Sequence, residues 1–170
     1  MKELEKERDL RPLPPVVTAG ALVLPARLLS PRPSPDGGDA ADNADRARVE
    51  AIAMATVIEY ERRHGRIPVD VSKQNRGWDI ESREPESGTL RFIEVKGRRP
   101  DAATVCVTKN EWLTSLNKRS DFYLAIVTVD GDEAQEPLMI PDPVKGDPQF
   151  GVTSVNLAIK ELVARAEASA

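Results

Sequence analysis

The apolar positions of the chain fall into three kinds of run. Between residues 44 and 65 they recur with a helical period, at Val49, Ile52, Ala53, Val57 and Tyr60. This predicts an amphipathic helix that Asp45 can cap and Gly65 can end. The runs GWDIESRE (77–84) and TLRFIEVKG (89–97) alternate with period two on either side of the turn residues PESG, which predicts an antiparallel hairpin. The third kind, DFYLAIVTVDG (121–131), is nearly continuous and rich in β-branched and aromatic residues, as suits a central strand buried on both faces.

Shorter runs complete the pattern. IPVDVS (67–72) and ATVCVT (103–108) read as strands, and TKNEWLTSLNKR (108–119) as a helix with Trp112, Leu113 and Leu116 at helical spacing, capped by Thr108 or Asn110. A proline-broken stretch, EPLMIPDPVKGDP, precedes a last predicted helix, VNLAIKELVARAEA (155–168). The resulting fold class is α/β: a mixed central sheet of four or five strands flanked by helices.

The first 45 residues follow different rules. Residues 1–10 could form a short charged helix, which RPLPPVV would end, because proline removes a backbone donor and restricts its predecessor. One or two short strands are expected up to Leu29. SPRPSPDGGDAADNAD has no apolar period and reads as a linker. The expected organisation is an extension over residues 1–30, a disordered linker over 31–45 and a domain over 46–170.

Composition narrows the function classes. In 170 residues, 40% hydrophobic, a net charge of −4 and a pI near 5.2 give no bulk electrostatic signature of nucleic-acid binding, so charge distribution matters more than the total. The single cysteine, Cys106, excludes an internal disulfide, favours a reducing cytoplasm and is expected in the core. The apolar run VVTAGALVLPARLL is short and broken by Pro25, so it reads as neither signal peptide nor membrane span. A phosphate-binding loop of the G-x-x-x-x-G-K-[ST] type and paired Cys/His metal spacings are both absent from the sequence.

The chemistry is concentrated in the predicted hairpin. In a strand, Glu94 and Lys96 share one face with Phe92, while Ile93 and Val95 point the other way into the core. Asp79 opens the partner strand, where it can approach the Glu94 and Lys96 end. Converging carboxylates repel unless a cation lies between them, and oxygen ligands with open positions suit Mg²⁺. With a phosphate to complete its shell, such an ion stabilises the displacement at phosphorus, beside a lysine that can orient water.

Asp79 followed by IEVK at the end of a hairpin resembles the D-x(n)-(D/E)-x-K signature of the PD-(D/E)XK nuclease superfamily, although Trp78 stands where the superfamily name has proline. The resemblance implies a restriction-endonuclease-like core, Mg²⁺ (with Mn²⁺ able to substitute) held by Asp79 and Glu94, and a supporting acid on the preceding helix, for which Glu50 is the match. It makes Asp79, Glu94, Lys96 and Glu50 the catalytic set. VDVSKQNRGWDIES, RFIEVKGR, TKNEW and DFYLAIV, in this order, are also similar to the helicase-associated domain named from the plant NO VEIN protein, over residues 46–130. That similarity implies a superfamily-two helicase, in the same chain or a separate one, as partner, DNA as substrate, and a place in restriction or phage defence.

Each residue also has a plainer role. Asp79, Glu94 and Lys96 could form a surface ion-pair cluster worth roughly 0 to 1 kcal/mol per pair, and Glu50 could be an exposed helix charge. Glu111 and Asn110 could face the site or cap a helix. His64, the only histidine, fits a helix C-terminus, and Trp78 and Trp112 fit the core. Cationic residues between 91 and 119 make Arg98, Arg99 and Lys109 candidates for the phosphate backbone, with Gln74 from the preceding loop. A non-cleaving nucleic-acid-binding or protein-docking module of a helicase is the alternative to the nuclease.

Overall fold

The computed structural model describes residues 40–146 and 151–167; the expected extension and linker residues 31–39 lie outside them. Helix α1, Ala40–Arg63, starts earlier than its expected cap. The last strong breaker is Gly38, and the alanine-rich, acidic residues after it suit a helical first turn. Asp45 is therefore inside the helix, where it accepts a hydrogen bond from Arg48 at 2.7 Å and pairs with Arg99. The other end is as expected. Gly65, at φ +74°, donates to the Arg62 carbonyl at 2.9 Å while Arg66 donates to that of Glu61 at 3.0 Å, the double closure that a left-handed glycine permits. His64 Nδ1 bonds the Tyr60 carbonyl at 2.7 Å, so the histidine serves the helix end.

The strands are β1 (Ile67–Asp70), β2 (Ile80–Arg83), β3 (Leu90–Arg98), β4 (Thr104–Thr108), β5 (Phe122–Asp130), β6 (Glu133–Ala134), β7 (Leu138–Pro141) and β8 (Ser154–Ala158). Helix α2 is Lys109–Lys118 and α3 is Ile159–Glu167. The main sheet has six strands, ordered β1-β2-β3-β5-β6 with β7 also on β5. It is mixed: β1, β2 and β3 are antiparallel, β3 and β5 parallel, and β6 and β7 return antiparallel to β5. β4 and β8 form a separate antiparallel ribbon.

Two apolar clusters cover the faces of this sheet. Val49, Ala53 and Val57, every fourth residue of α1, pack on Ile80, Ile93, Ala125, Val127 and Val129. On the other face Leu124, Ile126 and Ile140 meet Val105 of the ribbon and Leu162 of α3. β5 is thus buried on both faces, as its unbroken apolar run requires.

Three further features differ from expectation. The last helix begins only at Ile159: Val155 and Leu157 alternate with exposed Ser154 and Asn156, and these residues pair with β4 instead. The proline-broken stretch contains β7, which tolerates Pro141 at its end because the ring interrupts no further pairing. Cys106 is exposed, since Val105 and Val107 take the inward positions of β4.

Gly97, in β3, sets how close α1 can lie. A Cβ there would stand 2.8 Å from the Val49 carbonyl oxygen and 3.1 Å from the Ala53 Cβ. Gly97→Ala is expected to push helix and strand apart and cost about 1–3 kcal/mol, read as a lower urea midpoint. An unchanged midpoint would contradict this packing.

Candidate active site

The hairpin turn is closed by Glu84 donating to the Thr89 carbonyl at 2.8 Å and by Gly88 at φ +73°. From there β2 pairs with β3 only as far as Ile80 opposite Ile93. Beyond that point residues 94–98 keep β5 on one side, while the side that β2 occupied opens into a cleft. Asp79 stands at this departure point. Its N–H donates to the Ile93 carbonyl at 2.9 Å, and its Oδ2 accepts the Val95 N–H at 2.9 Å. A carboxylate thus replaces the missing strand for one rung of the ladder.

Glu94 and Lys96 lie in register with Leu124 and Ile126, so the charged pair continues a row that is otherwise core. Glu94 is only 6% exposed. The Lys96 ammonium lies between two carboxylates, 2.7 Å from Glu94 Oε1 and 2.8 Å from Glu111 Oε2. Glu111 belongs to α2, whose start is a capping box: Thr108 Oγ1 accepts the Glu111 N–H, and Glu111 Oε2 accepts the Thr108 N–H at 3.2 Å. Thr108 rather than Asn110 is the cap. In the sequence the T-x-x-E spacing was the available signal for this pairing.

The cleft, about 530 Å³, is lined by Glu50, Ala47, Ala51 and Met54 of α1, by Ser72 and Asp79, by β3 from Glu94 to Arg98, and by Cys106 and Thr108 of β4. It brings together Glu50, Asp79, Glu94, Lys96 and Arg98. Arg98 is tethered to the Gly97 carbonyl at 2.6 Å and the Thr104 carbonyl at 3.3 Å. Arg99, Lys109 and Gln74 stand outside the lining; Arg99 is paired with Asp45, and Gln74 lies in an exposed 3₁₀ turn, Ser72–Gln74. The tryptophans are structural: Trp78 meets Phe92 edge-on at 5.0 Å, and Trp112 Nε1 donates to the Gly146 carbonyl at 2.9 Å.

Burial beside the apolar cluster pushes the Glu94 carboxyl up to about 8, with Lys96 opposing and Glu111 and Asp79 adding repulsion. Burial also raises Asp79, against the Val95 N–H and Lys96. For Lys96, burial works against the ammonium, but attraction to Glu94 and Glu111 outweighs it and holds its pKa above the usual lysine value. Lys96 is therefore a cation at neutral pH and not a proton acceptor.

The Glu94 shift is also a statement about stability. An acid whose folded pKa exceeds its unfolded value disfavours folding only where the unfolded chain ionises it. That cost is absent below the ordinary 4.5, grows as pH rises, and is complete above about 8. Without added metal, Glu94→Gln is therefore expected to stabilise the protein above pH 8, by on the order of 3 kcal/mol, and to change little near pH 4.5. Equal shifts at both pH values would refute this assignment.

Among the described residues, no three or more His, Cys, Asp or Glu side chains are grouped closely enough to hold a metal ion; Glu50 lines the cleft without completing such a set. Two carboxylates suffice for Mg²⁺, which keeps several waters and completes its shell from a phosphate. Asp79 and Glu94 fit that role.

The family model described as "Protein NO VEIN, C-terminal" matches residues 49–140. This is more than half of the chain and runs from α1 through β7. The chain belongs to this family. No curated protein and no solved structure gives a significant match. Among the described residues no helix is long and apolar enough to cross a membrane.

Proposed function

We propose that this member of the NO VEIN C-terminal family is a Mg²⁺-dependent nuclease that hydrolyses DNA phosphodiester bonds, using Asp79, Glu94 and Lys96 as a PD-(D/E)XK-type site. The observation that carries the reading is the meeting of two carboxylates and an ammonium at the one place where β3 loses its neighbouring strand. The fully buried Glu61 has two guanidiniums, Arg66 and Arg91, to neutralise it, whereas Glu94 and Glu111 share the one Lys96 ammonium beside an open cleft, at a cost visible in the raised Glu94 pKa.

A bound Mg²⁺ would supply charge neutralisation at the scissile phosphate and a more acidic water. The chain's own residues do the rest. Asp79 and Glu94 would hold the ion, and the Val95 N–H fixes the orientation of Asp79. The Lys96 ammonium gives two of its three protons to Glu94 and Glu111, and the third would orient the attacking water or oppose the negative charge that grows on phosphorus. Glu50 lies on the cleft wall, where it would assist in holding the ion, and Arg98 would offer a cation to the phosphate backbone. A superfamily-two helicase as partner, in restriction or phage defence in the cytoplasm, is the biological setting that the sequence resemblance supports.

Calorimetric titration with MgCl₂ tests the metal assignment. Wild type is expected to bind one equivalent, and Asp79→Asn to weaken binding at least tenfold, since loss of even a residue that only orients a ligand costs about 10- to 100-fold. Equal affinity in the two proteins would remove Asp79 from the site.

A further inference from the structure

We infer that Glu111, which no part of the metal assignment uses, is the positioning residue that aims Lys96 into the cleft; the inference rests on the nuclease reading of that cleft. Glu94 cannot serve both as the ion's ligand and as the full counter-charge of Lys96, because a cation on its oxygens draws off the negative charge that attracts the ammonium. Glu111 can. Its Oε2 is 2.8 Å from Lys96 Nζ, and the Thr108 N–H holds the same oxygen at 3.2 Å. The backbone N–H of Thr108, which a change of its side chain leaves in place, therefore fixes where that oxygen stands, and α2 carries it to the site.

The same helix also seats the loop that leads into Asp79. Gly77, at φ +89°, lies against α2 so closely that a Cβ there would stand 2.5 Å from Thr114 Oγ1 and 3.1 Å from Asn110 Nδ2. The first two turns of α2 thus set both the lysine and the approach to the first acid. Glu111 itself need touch neither substrate nor ion.

Two variants separate positioning from helix capping. Glu111→Gln keeps a residue that can close the capping box but removes the charge facing Lys96; Thr108→Ala breaks the cap and keeps Glu111. Acetylation of Lys96, followed by peptide mass mapping, reads the hold on the amine without any catalysis. Lys96 is expected to react about tenfold faster in Glu111→Gln than in wild type, as a charge-assisted contact is lost, and at the wild-type rate in Thr108→Ala, whose melting temperature falls instead. In DNA cleavage, Glu111→Gln is expected to lose about 10- to 100-fold in kcat with KM and Mg²⁺ affinity unchanged.

Unaltered labelling of Lys96 in Glu111→Gln overturns the proposal, as does unaltered kcat in a protein that cleaves. Wild-type protein that cleaves nothing with metal would instead sink the nuclease reading, while the labelling rates still decide whether Glu111 holds Lys96.

Discussion

Replacing Lys96 with alanine is expected to lower metal-dependent DNA cleavage about 10²- to 10³-fold, the usual loss when one fixed donor to developing charge is removed. Mg²⁺ affinity should not fall, because Lys96 is a cation beside the proposed ligands Asp79 and Glu94, and removing it leaves their carboxylates freer to attract another positive charge. Asp79→Ala is expected to be at least as damaging but for another reason: it removes a proposed ion ligand and leaves the Val95 N–H at the open edge of β3 without its acceptor. The two variants therefore separate on metal binding, which Lys96→Ala keeps and Asp79→Ala loses. Cleavage by Lys96→Ala at the wild-type rate would eliminate the lysine's role.

Glu61→Ala is expected to cost about 3–5 kcal/mol of stability, the range for removing one partner of a buried ion pair. Glu61 is fully buried at the end of α1. One oxygen is 3.0 Å from Arg66 Nε and the other 3.2 Å from Arg91. Arg66 in turn reaches Glu84 at 2.7 Å and the carbonyls of Ser82 and Thr89 at 2.9 and 3.2 Å, so this one guanidinium ties the end of the helix to the hairpin. Without Glu61 it keeps its burial and loses its closest buried counter-charge. The loss is read as a lower urea midpoint at unchanged slope; a loss under 1 kcal/mol would show that the network contributes little.

Glu61 also marks a limit of reading the sequence alone. Val49, Ala53 and Val57 are spaced by four, and the next step on that stripe is position 61. The register is visible, but nothing local marks a glutamate there as buried, because its partners Arg66 and Arg91 come from the following turn and from β3. A buried charge is legible only together with whatever neutralises it. Glu111 is a similar case: T-x-x-E announced a capping box, but the contact of the same carboxylate with Lys96 depends on how α2 sits against β3.

The hairpin was legible for the opposite reason. Its strands are adjacent in sequence, the turn residues set the register, and period two decides which side chains share a face. Asp79, Glu94 and Lys96 could therefore be brought together before any coordinates. Val155 to Ala158 failed as helix because their partner strand, β4, lies about 50 residues upstream. Local period cannot distinguish a short ribbon strand running into a helix from the helix itself. The resemblance over residues 46–130 and the matched family span of 49–140 cover nearly the same elements, and the charged residues that line the cleft lie within both.

The most direct test of the account is incubation of the purified chain with plasmid and single-stranded DNA in Mg²⁺, in Mn²⁺ and in EDTA. Cutting is expected with either metal, none in EDTA, and cutting at least about a hundredfold slower by Lys96→Ala and by Asp79→Ala. Cutting that persists in EDTA, or that is undiminished in both variants, would contradict the assignment of the cleft as a metal-dependent nuclease site.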